Sequence, residues 1–205
     1  MRIYILILAA LALGACTLKP VETVYHEEKD FTRFTTKAII TKTGSKEIEL
    51  VASKECPGKV ICTDQEIKLK VTHKDRFSLL KGKDLVLEAD QDKLDLNERD
   101  YSNSYDMNKI AKDGTDGVLN EQFLIWVSES DFRKAAYSQS VIMKVGDDSF
   151  ELSIEERNSW QIMLDKERLL EIMDEEQQRE YGLYTHERKD KKEITVQEKR
   201  MSSEA

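Results

Sequence analysis

Hydrolytic chemistry needs a base held within hydrogen-bond reach of a nucleophile by a packed shell, and the 205-residue chain has only three histidines to offer. His26 and His186 fall in polar stretches without an apolar period, and His73 closes an alternating run, a rim position rather than a catalytic one. No G-x-S-x-G elbow, H-E-x-x-H pair, Walker loop or G-x-G-x-x-G turn occurs, so no motif for a cofactor or an assembled catalytic set is legible. Asp90, Asp92 and Asp95 cluster between two strand-like runs and raise the question of calcium. Counted from Asp90, an EF-hand loop would want an acid, a glycine and a glutamate where Leu94, Asp95 and Tyr101 stand. The expected outcome is a solvated turn, with an irregular calcium loop as its weak rival, and Asp113 and Asp116 read the same way. With 40 acidic residues, any carboxylate pair for glycoside hydrolysis must be found by geometry rather than by counting. Trp126 and Trp160 could line a sugar or peptide groove, but a strand end and a capped helix are core positions, and burial is expected for both.

The elements that would position these groups begin at Phe31, where the pattern becomes that of short strands. Phe31–Thr41, Glu47–Ser53, Glu66–His73, Asp84–Ala89 and Lys93–Leu96 are separated by turn residues at Gly44, Pro57-Gly58, Gly82 and Asp90. Within Glu66-Ile67-Lys68-Leu69-Lys70-Val71 the apolar side chains share one face and the lysines the other, the mark of an antiparallel sheet with one wet face. Residues 97–118, rich in Asn, Asp, Ser and Gly, read as a long loop. Leu119–Val127 resumes as a strand. Ser128 with Asp131 then opens a short helix to Tyr137, and Val141–Val145 with Ser149–Leu152 form a hairpin around Gly146-Asp147-Asp148. Ser153 and Glu156 make a capping box for a helix that runs to Tyr181 before Gly182. Ile162, Met163, Leu169, Leu170 and Met173 share one arc of it, suited to packing on the sheet. Its polar end after Met173 is expected to project into solvent, with Tyr181 and Tyr184 continuing the arc toward a partner. Residues 182–205 hold few apolar groups and read as a disordered, charged tail.

Charge narrows the partners. With 32 basic against 40 acidic residues the formal net charge is −8, which disfavours nucleic acid and leaves no broad basic patch for anionic lipid. The N-terminus has one cation, Arg2, then an apolar run from Ile3 to Leu13, too short for a hydrocarbon core that needs about 20 residues, and so a signal segment. Leu13-Gly14-Ala15-Cys16 resembles the lipobox of bacterial lipoproteins. The resemblance implies that the signal, residues 1–15, is cut before Cys16 and that Cys16 carries a diacylglycerol thioether, with an amine-linked acyl chain such as palmitate to follow. Two or three such chains hold stably in a bilayer where one is marginal. Thr17 stands where many lipoproteins of Gram-negative cells carry an inner-membrane retention aspartate, which favours the outer membrane. In an exported chain the remaining thiols, Cys56 and Cys62, joined through a Pro-Gly turn, are expected to form a disulfide. Their five-residue gap is not the C-x-x-C spacing of redox motifs.

These readings predict an α+β domain over residues 31–181, an antiparallel sheet with room for two sandwich-like layers, plus a short helix and a longer C-terminal helix. A lipidated tether, residues 16–30, would precede it and let it stand about 45 Å from the bilayer. The anchor and the missing catalytic set point to a non-enzymatic binding or assembly module with an envelope protein as partner. The alternatives are an envelope hydrolase acting on glycan through a carboxylate pair, and a small-ligand or calcium-binding lipoprotein.

Overall fold

The computed structural model describes residues 19–43, 46–75, 77–96, 99–110 and 116–181; the signal segment, Cys16, Tyr184 and the tail lie outside them. The fold is α+β, with two antiparallel sheets. The larger, seven-stranded sheet comprises β1 (Val21–His26), β2 (Phe31–Thr36), β3 (Ile39–Thr43), β4 (Lys46–Pro57), β5 (Ile67–Asp75), β8 (Arg99–Ile110) and β9 (Asp116–Val127). Its strand order is β1-β2-β4-β5-β9-β8, with β3 also paired to β4. The smaller, four-stranded sheet has the order β11 (Asp148–Leu152), β10 (Val141–Val145), β6 (Leu85–Ala89) and β7 (Asp92–Asp95). Helices α1 (Glu129–Tyr137), α2 (Ile154–Leu164) and α3 (Lys166–Glu171) join both sheets in one buried cluster that holds Phe34, Leu69, Ile125, Phe132, Phe150 and Trp160 among others.

Alternation explains the sheet faces. Ile67, Leu69 and Val71 of β5 point into the core, and their cross-strand partners on β9, Val127, Ile125 and Phe123, point the same way. The Ser128 hydroxyl accepts the Asp131 amide at the start of α1, and Ser153 with Glu156 forms the reciprocal capping box of α2, both where the sequence placed them.

Several expectations are corrected. The segment read as part of a tether is strand β1, zipped to β2 from Val21↔Thr36 to His26↔Phe31. Only Val21 of β1 is buried, so the strand leaves no apolar alternation to read; it is held by its ladder, by the turn at Asp30 (φ 47°) and by His26 stacking on Phe31 at 4.5 Å. Phe31–Thr41 is broken at Lys37, whose amide bonds to the Pro20 carbonyl instead of to a ladder. In the stretch read as a loop over residues 97–118, the described residues form β8 and the start of β9. Their polar side chains suit a strand at the sheet edge, and pairing runs from Arg99↔Ile125 to Ile110↔Asp116; Asp113 lies outside the described residues, and so does the side chain of Asp116.

The single C-terminal helix is three pieces. Asp165 takes an extended conformation (φ −104°, ψ 114°), ends α2, and caps α3 by accepting the Glu167 and Arg168 amides. Asp174 then accepts the Gln177 amide at 2.9 Å as residues 175–181 turn into a further helix. These two aspartates compete with the helix for backbone donors, which an apolar arc cannot reveal. The breaks fold the chain back so that Tyr181, expected in solvent, is 3% exposed against the edge of Phe34, with its hydroxyl 3.1 Å from that of Thr32.

Candidate functional site

Three charged clusters lie inside the protein, where catalytic groups are usually sought. Glu121 of β9 is fully buried and accepts hydrogen bonds from the Ser78 and Tyr101 hydroxyls at 2.6 and 2.8 Å and from the amides of Leu79, Leu80 and Lys81. Burial alone would raise its carboxyl, but these donors outweigh burial and hold it below the ordinary range. A carboxylate so enclosed anchors the 78–81 loop and has nothing left for a substrate.

Arg157 of α2 is buried as completely. Its guanidinium donates to the carbonyls of Ala135, Ala136 and Ser138 at the end of α1, and to Leu152 and Ser153 beside it. This one fork satisfies the orphan carbonyls of a helix end and fastens α1 to α2. In the third cluster, Lys54 of β4 donates to the Cys62 carbonyl at 3.0 Å and lies 3.9 Å from Glu129, which also binds Arg133. Burial lowers the Lys54 amine from its ordinary value, opposed by the Glu129 charge.

Cys56 and Cys62 are disulfide-bonded, as expected. The loop they close is tied down again by Gly58 (φ 67°), whose amide bonds to the Asp30 carbonyl and whose own carbonyl accepts the Thr32 hydroxyl, and by Lys54 from below. Asp90 takes a left-handed turn (φ 52°), and its carboxylate accepts the Gln139 and Ser140 amides, which holds it below the usual carboxylate range. It staples the α1–β10 connection, while Asp92 and Asp95 lie on the exposed strand β7. Among the described residues no group of three or more His, Cys, Asp or Glu side chains is arranged to hold a metal. His73 is buried, with Nδ1 2.8 Å from the Glu47 carbonyl, and belongs to the sheet.

A candidate surface for recognition lies around Trp126. Trp160 is fully buried on Phe132, as expected, but Trp126, also read as core, is 46% exposed. The reason is parity: Ile125 and Val127 of β9 point inward, so Trp126 must point out. It stands opposite Lys68, which stands opposite Ser53, so a Ser53–Lys68–Trp126 row crosses three strands on the wet face. The Lys68 ammonium sits 5.6 Å from the ring centroid as a cation–π contact. On one side of the ring this row floors a groove of about 340 Å³, walled by Glu55 and by Asp64, Gln65 and Glu66 of the segment between Cys62 and β5. On the other side Lys93, Asp95, Ser128 and Asp131 border a second groove of about 320 Å³. Arg33 grips Glu55 at 2.7 Å, fixing that wall.

The arrangement is a flat aromatic between two polar troughs, with carboxylates that accept hydrogen bonds and lysines that donate them. It can hold a polar, extended ligand. No buried acid stands in either trough. The parity signal that exposes Trp126 was present in the sequence, in the alternation of Phe123, Ile125 and Val127. Among the described residues no helix is long and apolar enough to cross a membrane. No protein-family model, curated protein or solved structure matches the chain.

Proposed function

We propose that this protein is a lipid-anchored cell-envelope module that binds without catalysis, holding a carbohydrate chain across Trp126. The anchor rests on the lipobox-like Leu13-Gly14-Ala15-Cys16. The observation that carries the binding reading is the half-exposed Trp126 between two polar grooves, in a protein whose buried charges are committed to internal partners. Sugar rings present one apolar face for an indole and a rim of hydroxyls for carboxylates and amides. A cationic peptide would meet Lys68 and Lys93, one in each trough, and nucleic acid would meet a net charge of −8.

A glycan hydrolase is the second reading, since Glu55, Asp64 and Glu66 share one groove. A general acid needs a carboxyl shielded from water to keep its proton at neutral pH, and none of these three is buried. The geometry therefore favours binding over cleavage.

The test is titration with soluble N-acetylglucosamine oligomers, followed by tryptophan fluorescence and calorimetry. Trp160 is buried, so a fluorescence change reports Trp126. Trp126→Ala is expected to weaken binding by about 30-fold, the effect of a 2 kcal/mol aromatic anchor. Equal heats for wild type and Trp126→Ala would refute the site, and release of shorter oligomers by the wild type would favour the hydrolase. The anchor is tested separately, by the mass of the N-terminal peptide of the mature protein against Cys16→Ala.

A further inference from the structure

The described chain begins at Lys19 and is fastened at once. The Pro20 carbonyl accepts the Lys37 amide at 2.8 Å, and Val21 opens β1. Only Thr17 and Leu18 separate Lys19 from Cys16, so chain geometry allows at most about 14 Å from Cys16 to Pro20. The long reach expected of residues 16–30 disappears once β1 is part of the sheet. If Cys16 is acylated, as proposed above and as this inference requires, its acyl chains lie in the hydrocarbon layer, and the polar layer adds about 5–8 Å on each side of it. A domain held on so short a link rests on that layer, with the face around Pro20 turned to it.

That face carries groups a lipid surface would take. Pro20, Lys37, Ala38 and Ile40 border a depression of about 390 Å³ together with the first turn of α2. Ile40 is 53% exposed, and Ile154, which opens α2 beside Glu155, is 44% exposed. Two branched aliphatic side chains in water beside the point of entry contrast with a core that buries the isoleucines at 39, 48, 67, 125 and 162. Lys19, Lys37 and Lys42 are exposed near by; Lys19 pairs with Asp174 at 3.6 Å and Lys42 with Glu47 at 3.1 Å, but such surface pairs are weak, and the long stems let the ammonium groups turn to headgroup phosphates. Of the nearby acids, Glu156 is turned back on the Ser153 amide at 2.7 Å, which leaves Glu155 as the acid of this rim.

We propose that the face formed by Pro20, Ile40 and Ile154 is a membrane-resting surface, docked on the leaflet that holds the Cys16 acyl chains. Ile40 and Ile154 enter the glycerol region, and the lysines flank them at the phosphates. The anchor then fixes which way the Trp126 grooves face as well as where the protein resides.

The test uses the mature, lipidated full chain in vesicles of phosphatidylethanolamine and phosphatidylglycerol doped with a photoactivatable phospholipid. After irradiation, label is read on tryptic peptides. Residues 38–42 and 145–157, which hold Ile40 and Ile154, should carry most of it, and residues 113–133, which hold Trp126, little. The double variant Ile40→Asp with Ile154→Asp alters exposed positions only; it should stay in the vesicle fraction while label on those two peptides falls several-fold. Even labelling, preferential labelling of the Trp126 peptide, or labelling unchanged in the double variant overturns the surface while the anchor stands. A mature N-terminal peptide without acyl mass overturns the anchor and the surface together.

Discussion

The two tryptophans mark two regions built on opposite terms. Around Trp160 the ring packs on Phe132, and the neighbouring charge, Arg157, is used up by carbonyls of α1 and β11. Around Trp126 the ring meets water on a strand face, beside carboxylates and lysines that remain at the surface. Burying a charged group is costly unless its hydrogen bonds are made inside, as those of Arg157 are, and a group so matched has nothing to offer a ligand; the Trp160 indole N–H, buried without a partner, is an exception that a neutral group can bear. Position within the fold, rather than residue type, therefore separates architecture from recognition. Glu121 and Arg157 would attract attention in any list of charged residues, yet they hold the scaffold, while Trp126 presents to water a ring that its buried counterpart does not.

The contrast is broken most severely at Arg157. Arg157→Met fills similar volume but leaves the carbonyls of Ala135, Ala136 and Ser138 without their donor, and a loss of about 4 kcal/mol is expected. For a domain of this size that is a drop in Tm of about 10 °C, read by calorimetry. Arg157→Lys should recover only part of it, because one ammonium cannot span a fork of carbonyls from α1 and β11. Full recovery by lysine would show that charge alone, and not the fork, holds the two helices together.

Glu121 comes next. Glu121→Ala releases the 78–81 loop and strands the Tyr101 hydroxyl, at a cost of about 3 kcal/mol. Its carboxyl lies below the ordinary value in the folded state, so the sign is that of a depressed acid. The stabilisation is fully present above about pH 4.3, the unfolded glutamate value, and is lost as the pH falls through the folded one. Urea titrations should therefore show wild type and Glu121→Gln converging in stability below about pH 4. A gap unchanged across that range would mean that shape rather than charge anchors the loop.

The disulfide adjoins the Trp126 groove, since Asp64, Gln65 and Glu66, which wall it, follow Cys62 in the chain. Replacing both cysteines, as Cys56→Ser with Cys62→Ser, should cost about 2 kcal/mol, the chain-entropy value for so short a loop. It should also weaken oligosaccharide binding, because Asp64, Gln65 and Glu66 would no longer be held against the sheet. Stability lost with binding intact would confine recognition to the Ser53–Lys68–Trp126 row and the far trough.

How far the sequence reaches follows the same division. Strands with clean alternation, such as Ile67-Lys68-Leu69-Lys70-Val71, were legible, as were both serine caps, the β10–β11 hairpin and the disulfide, because each is a local signal. Strand β1 was not, since only Val21 of it faces the core, and neither was β8, whose polar residues suit a sheet edge as well as a loop. The helix breaks at Asp165 and Asp174 were hidden because an aspartate at the end of an apolar arc looks like surface until its oxygen is seen on the next helix's amides. The site was half legible. Parity along β9 placed Trp126 outside, but a large aromatic at a strand end weighs toward the core, and only the three-dimensional row with Lys68 and Ser53 decides against it.

The smallest change in stability is the sharpest test of the contrast. Trp126 sits on the wet face, and apart from its contact with Lys68 its removal opens no cavity in the core. Trp126→Ala is accordingly expected to shift stability by less than about 0.5 kcal/mol, the range of ordinary surface substitutions, while Trp160→Ala should cost about 4 kcal/mol for the cavity it leaves. Thermal melts of the two variants side by side therefore separate the regions without reference to any ligand. If Trp126→Ala proved as damaging as Trp160→Ala, the ring would be part of the scaffold and the grooves beside it would lose their claim to recognition. If it melts with the wild type, folding does not need the ring, and the titration of Trp126→Ala with oligosaccharide alone decides whether a ligand does.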